Sequence, residues 1–300
     1  MDVKKNFNLI VYLIIAFFPL TGCYGEIANK GKKAREYFAN CQYKRVIETL
    51  ETIKPSRRTA NIDFLLGKSY IALFEFDKAD QIFKNLFKRY PTFKDSLITA
   101  YLYTAERFEK RKRIDLAVKA YTSLLGIESE YNLGKGFYTM GHYYYSRNDL
   151  IKAKEFFERG IDNITDKRTL TKAKIELMDI YETIGMFKEA VEVSGSDINP
   201  DILYRKGKLS YKLAKDFFSL KELDSALVYC EKIIEINSPK ILVDDTYFLM
   251  GEIYSEIGNY SNAVQCYREV VKLDRFQKSK IALLAKKKIE VLTLFNRGEW

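Results

Sequence analysis

The chain holds a single histidine, His142, so any general acid–base step or Ser-His-Asp relay would have to run through that one imidazole. Nothing around it resembles a nucleophile motif, and a groove-facing or packing role fits it better than catalysis. Cys41, Cys230 and Cys266 lie far apart, with no Cys-x-x-Cys or Cys/His cluster of the kind metal and redox sites need. Cys230 and Cys266 are expected as buried structural thiols. The sequence also lacks a Gly-rich phosphate loop. The expectation is a chain with no catalytic residue, no metal, no cofactor and no evident small-molecule substrate.

The fourth cysteine has a different setting. Met1 to Asn6 carries Lys4 and Lys5, Leu9 to Phe18 is apolar and uncharged, and Leu20-Thr21-Gly22-Cys23 follows. That is the order of a secretory signal. The last four residues resemble the lipobox of bacterial lipoproteins: an aliphatic residue, two small residues and a cysteine. The resemblance implies that the Cys23 thiol receives a diacylglycerol and that the chain is cut before it, removing residues 1–22. An uncleaved anchor is the competing reading, but the apolar run falls short of the roughly 20 residues needed to cross a bilayer. The expected protein is exported and lipid-anchored to a bacterial membrane, at the outer membrane or a periplasmic face rather than in the cytoplasm.

The formal charge is +10 over 300 residues, and losing residues 1–22 removes only Lys4, Lys5 and Asp2 from the count. A basic surface suits nucleic acid, anionic headgroups or an acidic protein. Export leaves the last two. A hydrophobic fraction of 47%, with 22 Tyr and 20 Phe but only 5 Pro, predicts a folded, helical chain rather than a disordered one.

What positions these residues is a repeat. A small residue recurs as Val46, Ala79, Ala117, Ala153, Ala190, Ala226 and Ala263, at spacings of 33 to 38 residues. Three residues before each stands Tyr43, Phe76, Ile114, Leu150, Phe187, Leu223 or Tyr260; four after stands Leu50, Phe83, Tyr121, Phe157, Ser194, Cys230 or Tyr267. Twelve residues upstream of three of them lie the glycines of Leu66-Gly67-x-x-Tyr70, Met140-Gly141-x-x-Tyr144 and Met250-Gly251-x-x-Tyr254. This pattern is similar to the tetratricopeptide repeat, two antiparallel helices in about 34 residues with a closing Pro. Leu66, Gly67, Tyr70, Ala79, Phe83 and Pro91 all match it in one copy. The resemblance implies an all-α, right-handed superhelical solenoid of about seven helix pairs over residues 32–276, after a tether at 23–31. A Lys-rich capping helix and tail follow at 277–300. In copy five, Ser194-Gly195-Ser196 predicts a short second helix, and Asn199-Pro200 the cap and first position of the next. In copy six, Gly207 stands nineteen residues before Ala226, which predicts a first helix about two turns longer.

In the tetratricopeptide family the first helices line a concave groove. Carrying its groove positions over by register from the small residue at each helix crossing gives Arg35 and Phe38 in copy one, Lys68 and Ile71 in copy two, and Tyr138, His142 and Tyr145 in copy four. If Gly207 is the crossing residue of copy six, Tyr204, Lys208, Tyr211 and Lys212 join them. Aromatics with neighbouring lysines suit a protein or peptide partner that carries carboxylates. The run Glu109-Lys110-Arg111-Lys112-Arg113 falls at the turn inside copy three and reads as a solvated turn, with headgroup contact as a second use. The expected function is a membrane-tethered scaffold. Alternatives are a structural envelope protein contacting anionic lipid or glycan, or a component of an outer-membrane assembly or transporter-associated complex.

Overall fold

Helices of eight to twenty residues are marginal alone and form because a partner buries one face. The computed structural model describes residues 25–274 and 279–297, and these contain fifteen helices and no strand. The expected signal segment and Cys23 lie outside the described residues. The chain divides after Asn132 into two compact units.

Unit 1 contains α1 (25–39), α2 (Tyr43–Glu51), α3 (Ala60–Ala72), α4 (Phe76–Arg89), α5 (Lys94–Lys110) and α6 (Ile114–Ile127). The described residues open inside helix α1, and residues 25–31, expected as tether, are helical. Gly31 and Ala34 are buried on α1, while residues 25–30 are exposed or partly exposed. Unit 2 contains α7 (Lys135–Tyr145), α8 (Leu150–Gly160), α9 (Lys167–Thr183), α10 (Phe187–Ser194), α11 (Pro200–Ser219), α12 (Leu223–Ile236), α13 (Val243–Ile257), α14 (Tyr260–Leu273) and α15 (Lys280–Arg297). Consecutive helices pack as pairs, and α15 packs on α14 and α13.

The periodic small residues explain the pairing. Val46, Ala79, Ala117, Ala153, Ala190, Ala226 and Ala263 are all fully buried on the second helices. On the first helices the residue twelve positions earlier is buried too: Ala34, Gly67, Ala105, Gly141, Met178, Ala214 and Gly251. At Gly67 a Cβ would lie 2.2 Å from the Phe83 ring, at Gly141 2.7 Å from Phe157 and at Gly251 2.5 Å from Tyr267. The ring four residues after the small residue fills the space a larger side chain would need. Buried rings such as Phe83, Phe108 and Phe157 each contribute roughly 1.5 to 3 kcal/mol.

Copy six corrects the register taken from Gly207. A Cβ there would fall 1.8 Å from the Ser238 carbonyl oxygen and 2.7 Å from Pro239 Cδ, so Gly207 meets the loop after α12 rather than α12 itself. Ala214, fully buried and twelve residues before Ala226, restores the spacing of the other copies. The long α11 is nevertheless present, as is the short α10, which ends before Gly195 at φ +54°. Asn199 caps α11, its Oδ1 accepting from Asp201 N at 3.0 Å and Ile202 N at 3.4 Å, with Pro200 at the first position.

The turn inside each pair repeats with the same geometry. Cys41, Phe74, Lys112, Asn148, Gly185, Lys221 and Gly258 all have positive φ, each five residues before the small residue. In every copy the next amide donates back to the carbonyl five residues earlier, from Gln42 to Tyr37 through Asn259 to Tyr254. The left-handed residue's own amide donates three back. This is the Schellman closure of a helix C-terminus, and it sets the angle at which each second helix returns.

Candidate partner-binding faces

In unit 1 the first helices α1, α3 and α5 line a groove of about 700 Å³. Helix α3 supplies Phe64, Lys68 and Ile71, which fall on one face at spacings of four and three. Helix α5 supplies Thr99, Tyr103 and Arg107 at steps of four, and Phe38 closes the α1 side beside Tyr43 at the start of α2. The Phe38 and Tyr43 rings meet edge to face at 5.3 Å, and Phe64 stacks on Phe83 at 5.7 Å. Lys68 Nζ stands 5.2 Å from the Phe38 ring and 5.6 Å from Phe64, a cation held by π faces. Ile71 is buried at the floor, whereas Tyr103 is 64% exposed at the rim. Lys68 and Arg107 have no ion pair among the described residues. The Tyr43 hydroxyl is held above its ordinary pKa, first by its hydrogen bond with the Cys41 thiol and then by burial.

Phe38, Lys68 and Ile71 are thus brought together, while Arg35 is exposed on α1 and does not line the groove. The sequence reading missed Phe64, Tyr103 and Arg107. Phe64 stands three residues before Gly67, as Tyr138 stands three before Gly141, so the register already contained it.

In unit 2 the corresponding face is engaged with itself. His142 Nδ1 lies 2.9 and 3.0 Å from the two Glu176 carboxylate oxygens of α9, and its ring stacks on Tyr138 at 5.7 Å. The Tyr145 hydroxyl donates to Asp179 Oδ2 at 3.2 Å, and Arg205 of α11 pairs with the same carboxylate. Burial, reinforced by Glu176, pushes the Tyr138 hydroxyl up to about 12.

Tyr204 and Lys208 line a smaller groove of about 350 Å³ with Ile175, Glu182 and Arg205. The register correction moves the crossing by seven residues, two helical turns, so Tyr204, Lys208 and Tyr211 keep their common face and Lys215 and Phe218 extend it. Tyr211 is half-buried, and its hydroxyl is pushed up to about 12, chiefly by burial. Lys212 leaves the face: its Nζ lies 3.6 Å from the ring centre of Phe187 on α10.

Among the described residues no cluster of three His, Cys, Asp or Glu side chains could hold a metal. No described helix is long and apolar enough to cross a membrane.

Family models match two of these helix pairs. Tetratricopeptide repeat models match residues 63–92, most of α3 and α4, and residues 244–277, which include α14 and nearly all of α13. Lipopolysaccharide assembly protein B of Escherichia coli K12 is 22% identical over 221 residues, 71% of this chain and 54% of that protein. The chain therefore spans about half the length of the curated relatives it matches. Among solved structures, a tetratricopeptide repeat protein from Parabacteroides merdae aligns at 14% identity and a TM-score of 0.34, over 90% of this chain and 99% of that one. YrrB, described as a tetratricopeptide repeat protein with an unusual peptide-binding site, aligns at 18% identity and a TM-score of 0.33, over 63% and 91%. With its helix pairs and buried crossing residues, the chain carries tetratricopeptide repeats, matched as such at residues 63–92 and 244–277.

Proposed function

We propose that this chain is a non-enzymatic scaffold of the bacterial cell envelope, tethered through a lipid on Cys23, and that it captures a protein segment in the groove of α1, α3 and α5. The observation that carries the reading is Lys68 held over Phe38 and Phe64, with Arg107 on the facing helix and no ion pair for either cation among the described residues. An extended or helical peptide with an apolar side chain and a carboxylate would fill the rings' space and meet the cations. Tetratricopeptide repeats serve as protein-interaction scaffolds, and the name of the Escherichia coli relatives supports a place in the envelope.

The test uses acidic peptides containing an aromatic or aliphatic residue, charge-inverted controls, and fluorescence anisotropy on the full chain. Acidic peptides should bind, and Lys68→Glu should abolish binding while leaving the melting temperature near that of the parent. Equal binding of acidic and basic peptides, or no effect of Lys68→Glu, would exclude the groove as the working surface. The anchor is checked separately by mass spectrometry of the N-terminal peptide. An unmodified Cys23 would remove the tether from the proposal without touching the groove.

A further inference from the structure

Helix α15 has two unlike faces. Ala282 and Ala285 are fully buried, and Ile281, Ile289 and Leu292 pack with Ala285 against Ala263, Tyr267 and Val270. The opposite face leaves Leu283, Leu284, Val291 and Leu294 between 41% and 49% exposed. Residues 284, 287, 291 and 294 follow one stripe, at steps of three and four along the helix. Lys287 sits within the stripe, Lys280 continues it four residues before Leu284, and Glu290 is the one acid of the helix. Lys288 turns to the edge, where it pairs with Glu252 at 2.9 Å.

We propose that this outer face of α15 docks on an anionic lipid surface. Charge complementarity selects the occupant. A second copy would set lysines against lysines, and a neutral partner would leave them uncompensated. Anionic headgroups match them while the four aliphatic tips enter the boundary of the acyl chains. The position of Lys287 argues against an acidic partner helix. Within a protein interface its charge would be buried amid Leu284 and Val291, whereas on a membrane its stem can lie along the apolar boundary and its ammonium can reach a phosphate.

Trp300, the chain's single tryptophan, follows α15 by three residues in sequence and gives a reporter independent of any anchor at Cys23. The full chain is mixed with vesicles of brominated phosphatidylcholine, with or without about one-third phosphatidylglycerol, and quenching of Trp300 is measured alongside co-sedimentation. Quenching should appear with the anionic vesicles and not with the neutral ones. Lys280→Gln with Lys287→Gln should weaken it by about fivefold per lysine. Leu284→Ser with Val291→Ser should weaken it by about tenfold. All four residues are exposed, so circular dichroism should be unchanged, and the lysine variant gives a second readout if the apolar one loses helix. Failure of the anchor alone would lower co-sedimentation and leave the quenching differences in place. Equal quenching in neutral vesicles, no quenching, or variants that behave like the parent would overturn the proposal. So would a protein crosslinked from position 284 in place of lipid contact.

Discussion

The residue after the crossing glycine is Lys68 in unit 1 and His142 in unit 2, and the two meet different fates. Lys68 rests over two rings and has no ion pair among the described residues, while His142 is clasped by Glu176. The difference comes from the facing helix. Glu176 stands two residues before its crossing residue, Met178; the same position of α5, two before Ala105, is Tyr103. An acid there ties one repeat to the next, and a tyrosine there leaves a rim. Because His142 is 52% exposed, the clasp adds only about 0.2 to 1 kcal/mol, but it occupies a ring nitrogen that a partner could use. In a repeat array one register position can therefore serve either cohesion or recognition, and the neighbouring repeat decides which.

The largest effect should come from breaking what both units share. Gly67→Val in unit 1 and Gly141→Val in unit 2 each drive a side chain into the Phe83 or Phe157 ring, and each should cost about 3 kcal/mol in denaturant unfolding. Tolerance in only one unit would show that the two helix crossings are not equivalent. The next effect exchanges the two faces: Tyr103→Glu supplies unit 1 with the acid of unit 2. It should draw Lys68 off the rings and weaken acidic-peptide binding about tenfold, or 1.4 kcal/mol. Undiminished affinity would mean that the clasp and the open groove are unrelated.

Acidification gives a contrast of sign. Burial raises the Asp63 pKa despite Arg58 and Arg89, so the fold favours its protonated form, and its contribution grows as pH falls through the folded value toward the unfolded one near 3.9. The side-chain hydrogen bond from Thr169 lowers the Asp166 pKa, so its contribution is complete above that unfolded value and is lost as pH falls through the folded one. Amide exchange should therefore show the first turn of α9 loosening relative to α3 between about pH 5 and 2. The reverse order would contradict both assignments.

The smallest effect concerns the left-handed turn position, which holds Cys41, Phe74 and Lys112 in unit 1 but Gly185 and Gly258 in two of the four turns of unit 2. Lys112→Gly should raise stability by about 1 kcal/mol, and Gly258→Ala should lower it by a similar amount. Matching thermal shifts of opposite sign would confirm that unit 1 carries the greater backbone strain.

The helix pairs were legible because packing repeats at a constant distance, and that distance proved a better guide than residue identity. Gly207 drew the copy six register because it is a glycine, whereas Ala214 keeps the interval of twelve and is the residue buried at the crossing. Copy five was readable locally, since Ser194-Gly195 and Asn199-Pro200 are end and start signals whose chemistry needs no tertiary context. The seven left-handed turns were not, because Phe74, Lys112 and Lys221 lack the glycine signature; Asn148, Gly185 and Gly258, each five residues before its small residue, were the available clue. The His142–Glu176 contact depends on which turns of α7 and α9 face each other, which one helix's sequence does not specify. Lys68 and Phe38 were found by register, and Tyr103 was missed for the same reason as Glu176.

The left-handed turn also leaves a chemical handle beside the groove. Cys41 is exposed there, two residues from the groove-lining Tyr43. Burial pushes the Cys230 thiol up to about 12 and the Cys266 thiol up to about 11, which keeps both protonated at neutral pH and slow toward electrophiles. With Cys23 acylated as proposed, a maleimide dye would attach at Cys41 alone. The protein thus carries its own optical sensor position, where a change in dye emission on adding a peptide would read groove occupancy without altering any other residue.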